Sequence, residues 1–300
     1  MLNVITLLIA LPLVFGYMGA LHPALDAFSH FRIYALGAWI VWMIVRVMLS
    51  RGSARYGWLL LMVIAGGYLY AIMRPFSPPS SRPLPHKTLT HLQYNINLNN
   101  HQGIETIKDY ILAHQVDVVT LQEVTHAQEK SFRELAEAGY RWQTYCMRRT
   151  TQEVILSRHP FVEGSVRCAE HQGFVSAQIQ IEERRLTVAS IHLFLPFPYG
   201  QSAQVLRLKK AFASLTPPVV LAGDFNAAPW SQTVKTVEQF SHTHVVPGLR
   251  MTIPTDYHHK PYVPLPIDQV LVSSDLQVES IATAPHMGSD HWPVISKIGY

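Results

Sequence analysis

The residues in this sequence best suited to chemistry stand where apolar, strand-like runs stop. Leu89–Tyr94 runs into Asn95, and Val116–Leu121 (VDVVTL) runs into Gln122 and Glu123. Leu186–Ile191 (LTVASI) ends at His192, while Val219–Ala222 passes through Gly223 into Asp224, Phe225 and Asn226. Two further runs carry their polar groups at the start, with Asp268 in IDQVLV and Asp290–His291 ahead of WPVISKI. If these last two strands run antiparallel to the first four, the carboxylates, imidazoles and carboxamides gather at one end of the sheets. Crevices at strand ends are where α/β folds place ligands. Oxygen donors dominate the set, which suits a hard divalent ion (Mg²⁺ first, then Mn²⁺ or Ca²⁺) better than zinc. Two histidines beside such groups can hold a metal, bind phosphate oxygens and activate water, as phosphoester hydrolysis without a covalent intermediate requires. Asp224 and Asn226, two apart, share a face if the extended conformation persists. No Cys-x-x-Cys, His-Glu-x-x-His, Gly-x-x-x-x-Gly-Lys-[Ser/Thr] or Gly-x-Ser-x-Gly motif offers a competing chemistry.

The elements that must position these groups follow from periodicity. Helix-period segments at Gln102–His114, His126–Ala138, Ser202–Ser214 and Ser231–Phe240 separate the strands, predicting a soluble α/β domain over residues 86–300. Ahead of it the composition changes. Val4–Ala20, Ile33–Leu49 and Tyr56–Met73 are apolar runs long enough to predict three membrane-crossing helices within residues 1–74. Arg46 is the one charge inside a run, three residues from its end, where it can snorkel. Residues 75–85 hold five prolines and read as a stiff linker. Arg46, Arg51 and Arg55 place three positive charges around one short loop. This favours a cytoplasmic loop and an extracytoplasmic catalytic domain, periplasmic in a Gram-negative cell. Cys146 and Cys168 admit two readings: a disulfide, which suits that compartment, or two unrelated buried thiols.

Charge distribution bears on the partner. The chain has a net charge of +4, but residues 1–84 hold six arginines against one aspartate, whereas residues 85–300 hold 18 basic and 19 acidic residues. The domain therefore has no positive surplus with which to neutralise a polyphosphate unless Arg148, Arg149, Lys209 and Lys210 cluster at the crevice. Phe194–Tyr199 (FLPFPY) directly follows His192 and is markedly apolar, either a packed loop or a substrate-facing wall. His258 and His259 lie in a Pro-rich loop and are expected to be exposed or to rim the crevice.

Seven segments, in order, resemble the endonuclease/exonuclease/phosphatase superfamily, which includes deoxyribonuclease-like nucleases, neutral sphingomyelinases and inositol-polyphosphate phosphatases. They are QYNIN (Gln93–Asn97), LQEV (Leu121–Val124), ILSRHP (Ile155–Pro160), SIHL (Ser190–Leu193), AGDFNAAPWS (Ala222–Ser231), PIDQVLVS (Pro266–Ser273) and GSDHWPV (Gly288–Val294). The resemblance covers the chain from about His86 to Tyr300 and leaves the apolar N-terminal segment outside. It implies an α+β, four-layer α/β/β/α sandwich of two packed mixed sheets. It also implies roles. Glu123 is the principal metal ligand, with Asn95 and Asp290 beside it, and Asp224 orients or deprotonates the attacking water. Asn226 holds a phosphate oxygen, His291 contacts the scissile phosphate with Asp268 fixing its tautomer, and His192 serves the leaving-group side. Asn95 is a further substrate-side residue, and Arg158 is either substrate-side or a structural residue at the turn before Pro160. His192 stands where the apurinic-endonuclease branch tends to carry tyrosine, and Asn97 where that branch carries an acidic residue, so the chain resembles the deoxyribonuclease and sphingomyelinase branches more. The implied activity is a membrane-anchored, metal-dependent phosphodiesterase. Nucleic acid is narrowly the first substrate class, a membrane phospholipid or other phosphoester the second, and an inactive tethered binding module the third.

Overall fold

The computed structural model of the chain describes residues 2–74, 77, 87–254, 256–257, 260–261 and 263–300. The Pro-rich segment at 75–85 falls almost wholly outside the described residues, as do His258 and His259. Four helices come first: α1 (Leu2–Tyr17), α2 (Pro23–Ala27), α3 (Arg32–Leu49) and α4 (Ala54–Met73). The first half of the domain comprises β1 (Thr88–Asn95), α5 (Ile104–Ala113), β2 (Val118–Val124), α6 (His126–Arg133), β3 (Trp142–Met147) and β4 (Gln152–Ser157). β5 (Arg167–Ala169), β6 (Phe174–Ile181), β7 (Arg184–His192), α7 (Gln201–Ala213), β8 (Val219–Asp224) and α8 (Gln232–Ser241) follow. The chain closes with β9 (His244–Val245), the small hairpin β10 (Asp256–Tyr257) and β11 (Lys260–Pro261), then β12 (Asp268–Val272), β13 (Gln277–Thr283) and β14 (Val294–Gly299).

Two six-stranded mixed sheets result, ordered β13-β14-β1-β2-β4-β3 and β5-β6-β7-β8-β12-β9. In each, one parallel pair (β1 with β2, β7 with β8) is joined through a helix, and the other pairs are antiparallel. Between the sheets lies one apolar core, including Leu89, Val118, Ile155, Val188, Val220 and Val270. The opposite faces pack on helices, Leu92 and Val119 against Ile107 and Ile111 of α5, and Ala189 and Leu221 against Leu208 and Phe212 of α7. The four-layer arrangement matches expectation. Each strand alternates between these two environments with period two.

That alternation builds the site. The row of β1 facing the other sheet reads Leu89, His91, Gln93, Asn95, apolar at one end and polar at the other. Val188, Ser190, His192 on β7 and Val220, Ala222, Asp224 on β8 repeat the gradient. His192 pairs in register with Asp224, and Asp224 with Asp268 across the antiparallel β12, so three reactive groups stand side by side. Gly223 makes this close approach possible: at φ 155°, a Cβ there would lie 1.9 Å from the Ile191 carbonyl oxygen.

Before the domain, two helical stretches are long and apolar enough to cross a membrane, Pro23–Leu49 and Ala54–Met73, rather than three. α1 has sixteen residues, about 24 Å at 1.5 Å per residue against a hydrocarbon core of about 30 Å. It packs along α3, where Trp42 Nε1 donates to Thr6 Oγ1 at 2.9 Å. Arg46 is buried, donates to Asn3 Oδ1 at 3.1 Å and stacks on Trp58. At the other end Arg32 donates to the Gly16 carbonyl at 2.7 Å and lies over Tyr17.

Candidate active site

Asn95, Glu123, His192, Asp224, Asn226, Asp268, Asp290 and His291 come together at one end of the sandwich. Six of them (Glu123, His192, Asp224, Asn226, Asp290 and His291) line a crevice of about 1080 Å³, and Asn95 and Asp268 sit beneath it in the sheets. Asn95 bridges the two sheets by donating from Nδ2 to Asp224 Oδ2 at 3.0 Å and Glu123 Oε1 at 3.3 Å. Gln93, one step deeper in the same row, donates to Asp268 Oδ1 at 3.0 Å. By strict alternation Glu123 would point at the helices, because its neighbours Gln122 and Val124 occupy the other parity. A bulge in β2 and a left-handed backbone at Glu123 (φ 60°) turn it into the crevice instead. Its Oε2 accepts the Leu98 N–H at 3.1 Å.

Asn226 does not share a strand face with Asp224. β8 ends at Asp224, and the chain turns through a left-handed Asn226 (φ 45°). The turn itself joins them: the Asn226 N–H donates to Asp224 Oδ1 at 2.7 Å, and its Nδ2 donates to the Leu193 carbonyl at 2.9 Å. His291 enters from the loop before β14, its Nδ1 2.8 Å from Asp268 Oδ2 and its Nε2 3.7 Å from Asp224 Oδ2. Asp290 accepts from Asn97 Nδ2 at 2.6 Å, so Asn97 supports a carboxylate rather than supplying one.

Burial sets the charges. Burial and the positive charge of Arg148 hold His192 well below the usual histidine range, so it is a neutral imidazole. Arg148 Nη1 lies 2.6 Å from His192 Nδ1; an arginine only donates, so the ring proton sits on Nε2, which faces Asp224 at 3.4 Å. Burial alone would lower His291, but Asp268 and Asp224 outweigh it and lift its pKa to about 10. Burial lifts Asp224 to about 7, with Asp268 adding to the rise.

Glu153 was not expected from sequence. It is fully buried behind His192, its Oε1 3.9 Å from Nδ1, and burial pushes its pKa to about 8. Among the described residues, neither of its carboxyl oxygens has a hydrogen-bond partner. The signal was a lone acid at the inward parity of QEVILS, whose strand runs antiparallel to β2 and so starts at the crevice end. The same direction sets Arg158 apart from the crevice. It follows the far end of β4, where Ser157 pairs with Val118, and its guanidinium lies over Tyr140. Of the four basic residues considered, Arg148 and Arg149 line the crevice and Lys209 and Lys210 do not.

The donor set fits a hard divalent cation. Glu123, Asp224 and Asp290 line one crevice, and Asp224 is already raised by burial and by Asp268, a strain that a cation would relieve. Among the described residues, Asp224, Asp268 and His291 alone bring ligand atoms within 4.8 Å of one another. Asp268, however, is committed to His291 and Gln93, which favours a supporting place for it.

The crevice has two unlike rims. One carries Leu195, Phe197 and Tyr199, all at least half exposed. The other is built by Ala27, His30 and Phe31, from the segment between α1 and α3. Cys146 and Cys168 form a disulfide with Cα atoms 5.6 Å apart, joining edge strand β3 of one sheet to β5 of the other.

Residues 92–291 match the Endonuclease/Exonuclease/phosphatase family. No curated protein sequence matches the chain. Among solved structures, TDP2 of D. rerio complexed with a single strand DNA product is similar over 71% of this chain and 100% of its own, at 17% identity and TM-score 0.59. An endonuclease/exonuclease/phosphatase from Beutenbergia cavernae is similar over 71% and 72%, at 20% identity and TM-score 0.57. Beta toxin from Staphylococcus aureus is similar over 69% and 99%, at 12% identity and TM-score 0.53. At these identities the likeness is one of fold.

Proposed function

The chain belongs to the endonuclease/exonuclease/phosphatase family, whose members are typically metal-dependent hydrolases of phosphoester bonds, and on that premise we propose that it is a membrane-anchored phosphodiesterase. The convergence of Glu123, Asn95, Asp290, Asp224, Asn226, His192 and the Asp268–His291 pair on one crevice carries this reading. Glu123, with Asn95 and Asp290, would hold Mg²⁺. The ion, when bound, polarises a phosphoryl oxygen and offsets its growing negative charge. Asp224, raised to about 7, is poised to orient a water and take its proton. His291, cationic and held by Asp268, faces the phosphate as a donor. His192 offers its Nε2 proton as a hydrogen bond on the leaving-group side. Asn226 braces Asp224 through its backbone N–H and side chain and lines the crevice where a phosphate oxygen would lie.

In this reading α3 and α4 span the membrane, residues 1–74 form the anchor, and residues 86–300 form the catalytic domain. The charges at Arg51 and Arg55 and the disulfide support an extracytoplasmic domain. The substrate best supported is a membrane phospholipid. The exposed Leu195, Phe197 and Tyr199 give the crevice an apolar lip beside the anchor, and the domain lacks positive surplus. Arg148 and Arg149 at the same crevice, with the DNA product bound by the D. rerio relative, favour nucleic acid as the second reading. Purified full chain is incubated with phospholipid vesicles or plasmid DNA, each with Mg²⁺ or EDTA. Mg²⁺-dependent release from vesicles is expected. Cleavage of plasmid alone overturns the lipid assignment, wild-type turnover by Asp224→Ala overturns the mechanism assigned to these residues, and turnover of neither substrate by wild type favours a binding module.

A further inference from the structure

The segment between α1 and α3 lies outside the family match, yet it docks on the loop that carries Asn226. His22 meets Phe197, and Asp26, 6% exposed, accepts the N–H groups of Gln232 and Thr233 at 2.7 and 2.9 Å. The Ser29 carbonyl accepts from Trp230 Nε1 at 2.7 Å. His30 is 4% exposed, and its two ring nitrogens do different work. Nδ1 lies 3.0 Å from the Ala27 carbonyl within its own turn, whereas Nε2 lies 3.0 Å from the carbonyl of Asn226, 196 residues away.

That carbonyl belongs to a residue in left-handed backbone (φ 45°), a conformation that needs support from its surroundings. Gln201 supplies a second donor to the same oxygen at 3.0 Å. The Asn226 N–H and side chain in turn fix both oxygens of Asp224. We infer that the membrane segment is a working wall of the active site and that His30 is a positioning residue, holding Asn226 and through it Asp224 in the reactive arrangement. This rests on the hydrolytic reading above, because Asn226 and Asp224 matter to turnover only if that reading holds. Its consequence is that the anchor is part of the catalytic unit rather than a tether alone.

The two nitrogens of His30 provide the test. The amide of Gln reaches where Nε2 stands, and the shorter amide of Asn reaches only where Nδ1 stands. Full chain in detergent micelles is assayed on bis(p-nitrophenyl) phosphate with Mg²⁺, comparing wild type, His30→Gln, His30→Asn and Asp224→Ala. We expect His30→Asn to lose roughly 10- to 100-fold in kcat with KM changed less than about 2-fold, as misplaced reacting groups do. His30→Gln should recover to within about 3-fold of wild type. A wild-type kcat for His30→Asn, or losses of equal size in both variants, overturns the positioning role while leaving the hydrolase intact, provided Asp224→Ala is inactive. If Asp224→Ala is as active as wild type, the assignment of Asp224 to the reaction falls instead, and the premise of this inference with it. Melting curves for both His30 variants guard against misfolding. Should Asn unfold the segment, His30→Gln is the deciding variant: its retained kcat upholds the role, and its loss in a folded protein overturns it.

Discussion

Removing the Asp26 carboxylate should undock the N-terminal helical segment from the sandwich domain. Asp26 accepts from Gln232 N, Thr233 N and Thr233 Oγ1, at 2.7, 2.9 and 3.0 Å, at the first turn of α8. Hydrogen bonds to an ionised group are worth about 1.5–3 kcal/mol each, and a negative charge at a helix N-terminus adds up to about 1 kcal/mol. Water replaces part of this once the segment lifts away, so a net loss of about 3 kcal/mol for Asp26→Ala is the reasonable figure. At 1.4 kcal/mol per decade, docking shifts by roughly two orders of magnitude. Hydrogen exchange reads it directly: the Gln232 and Thr233 amides should exchange about 100-fold faster, and the Leu21–Phe31 segment should become a protease target. Gly19→Ala should act in the same direction more weakly, because its Cβ would stand 2.6 Å from Asp26 Oδ1. Exchange in Asp26→Ala within about 3-fold of wild type would refute the reasoning, since the carboxylate would then contribute almost nothing to docking.

Other outcomes follow from the same geometry. Glu123→Gln should weaken Mg²⁺ binding by about 100-fold or more, measured by titrating turnover with the ion. Asp268→Asn should lower kcat by about 10³–10⁴-fold with the fold retained, because His291 loses the carboxylate that holds its Nδ1–H and sustains its positive charge. His91 is fully buried between Thr120 and Ser296, and burial lowers its pKa from 6.5 to about 3. The unfolded chain then binds the extra proton between those values, so stability falls as pH drops through that window, by roughly 2 kcal/mol between pH 7 and pH 5. Urea unfolding at both pH values should show this loss in wild type and a smaller one in His91→Gln. The Cys146–Cys168 bridge closes a separation of 22 residues, for which loop entropy gives about 3 kcal/mol. Denaturation of Cys146→Ser/Cys168→Ser, in parallel with wild type, measures it.

Much of the site was legible because strand alternation is a strong local signal. A row that runs Leu89, His91, Gln93, Asn95 announces both an inner face and the end at which polar groups collect. Strand direction, however, is a property of pairing. Arg158 and Glu153 sit at opposite ends of one short strand, and only its antiparallel course beside β2 tells which end meets the crevice. Glu123 and Asn226 depend on left-handed residues that reverse what alternation predicts. The apolar helices were visible from hydropathy, with α1 falling short in length. The docking of the segment after α1 was not, since Asp26 and His30 look like ordinary polar residues of a short connection until their partners near residue 230 are known.

The domain is attached to its helices twice, by the peptide chain that continues beyond Met73 and by the contacts of Asp26, Ser29 and His30. Because both halves of the second attachment lie in one molecule, it forms at an effective concentration of order millimolar for a short connection, whatever the bulk dilution. A contact too weak to hold two separate proteins together therefore suffices to keep this site assembled. Scarcity of the protein cannot loosen it.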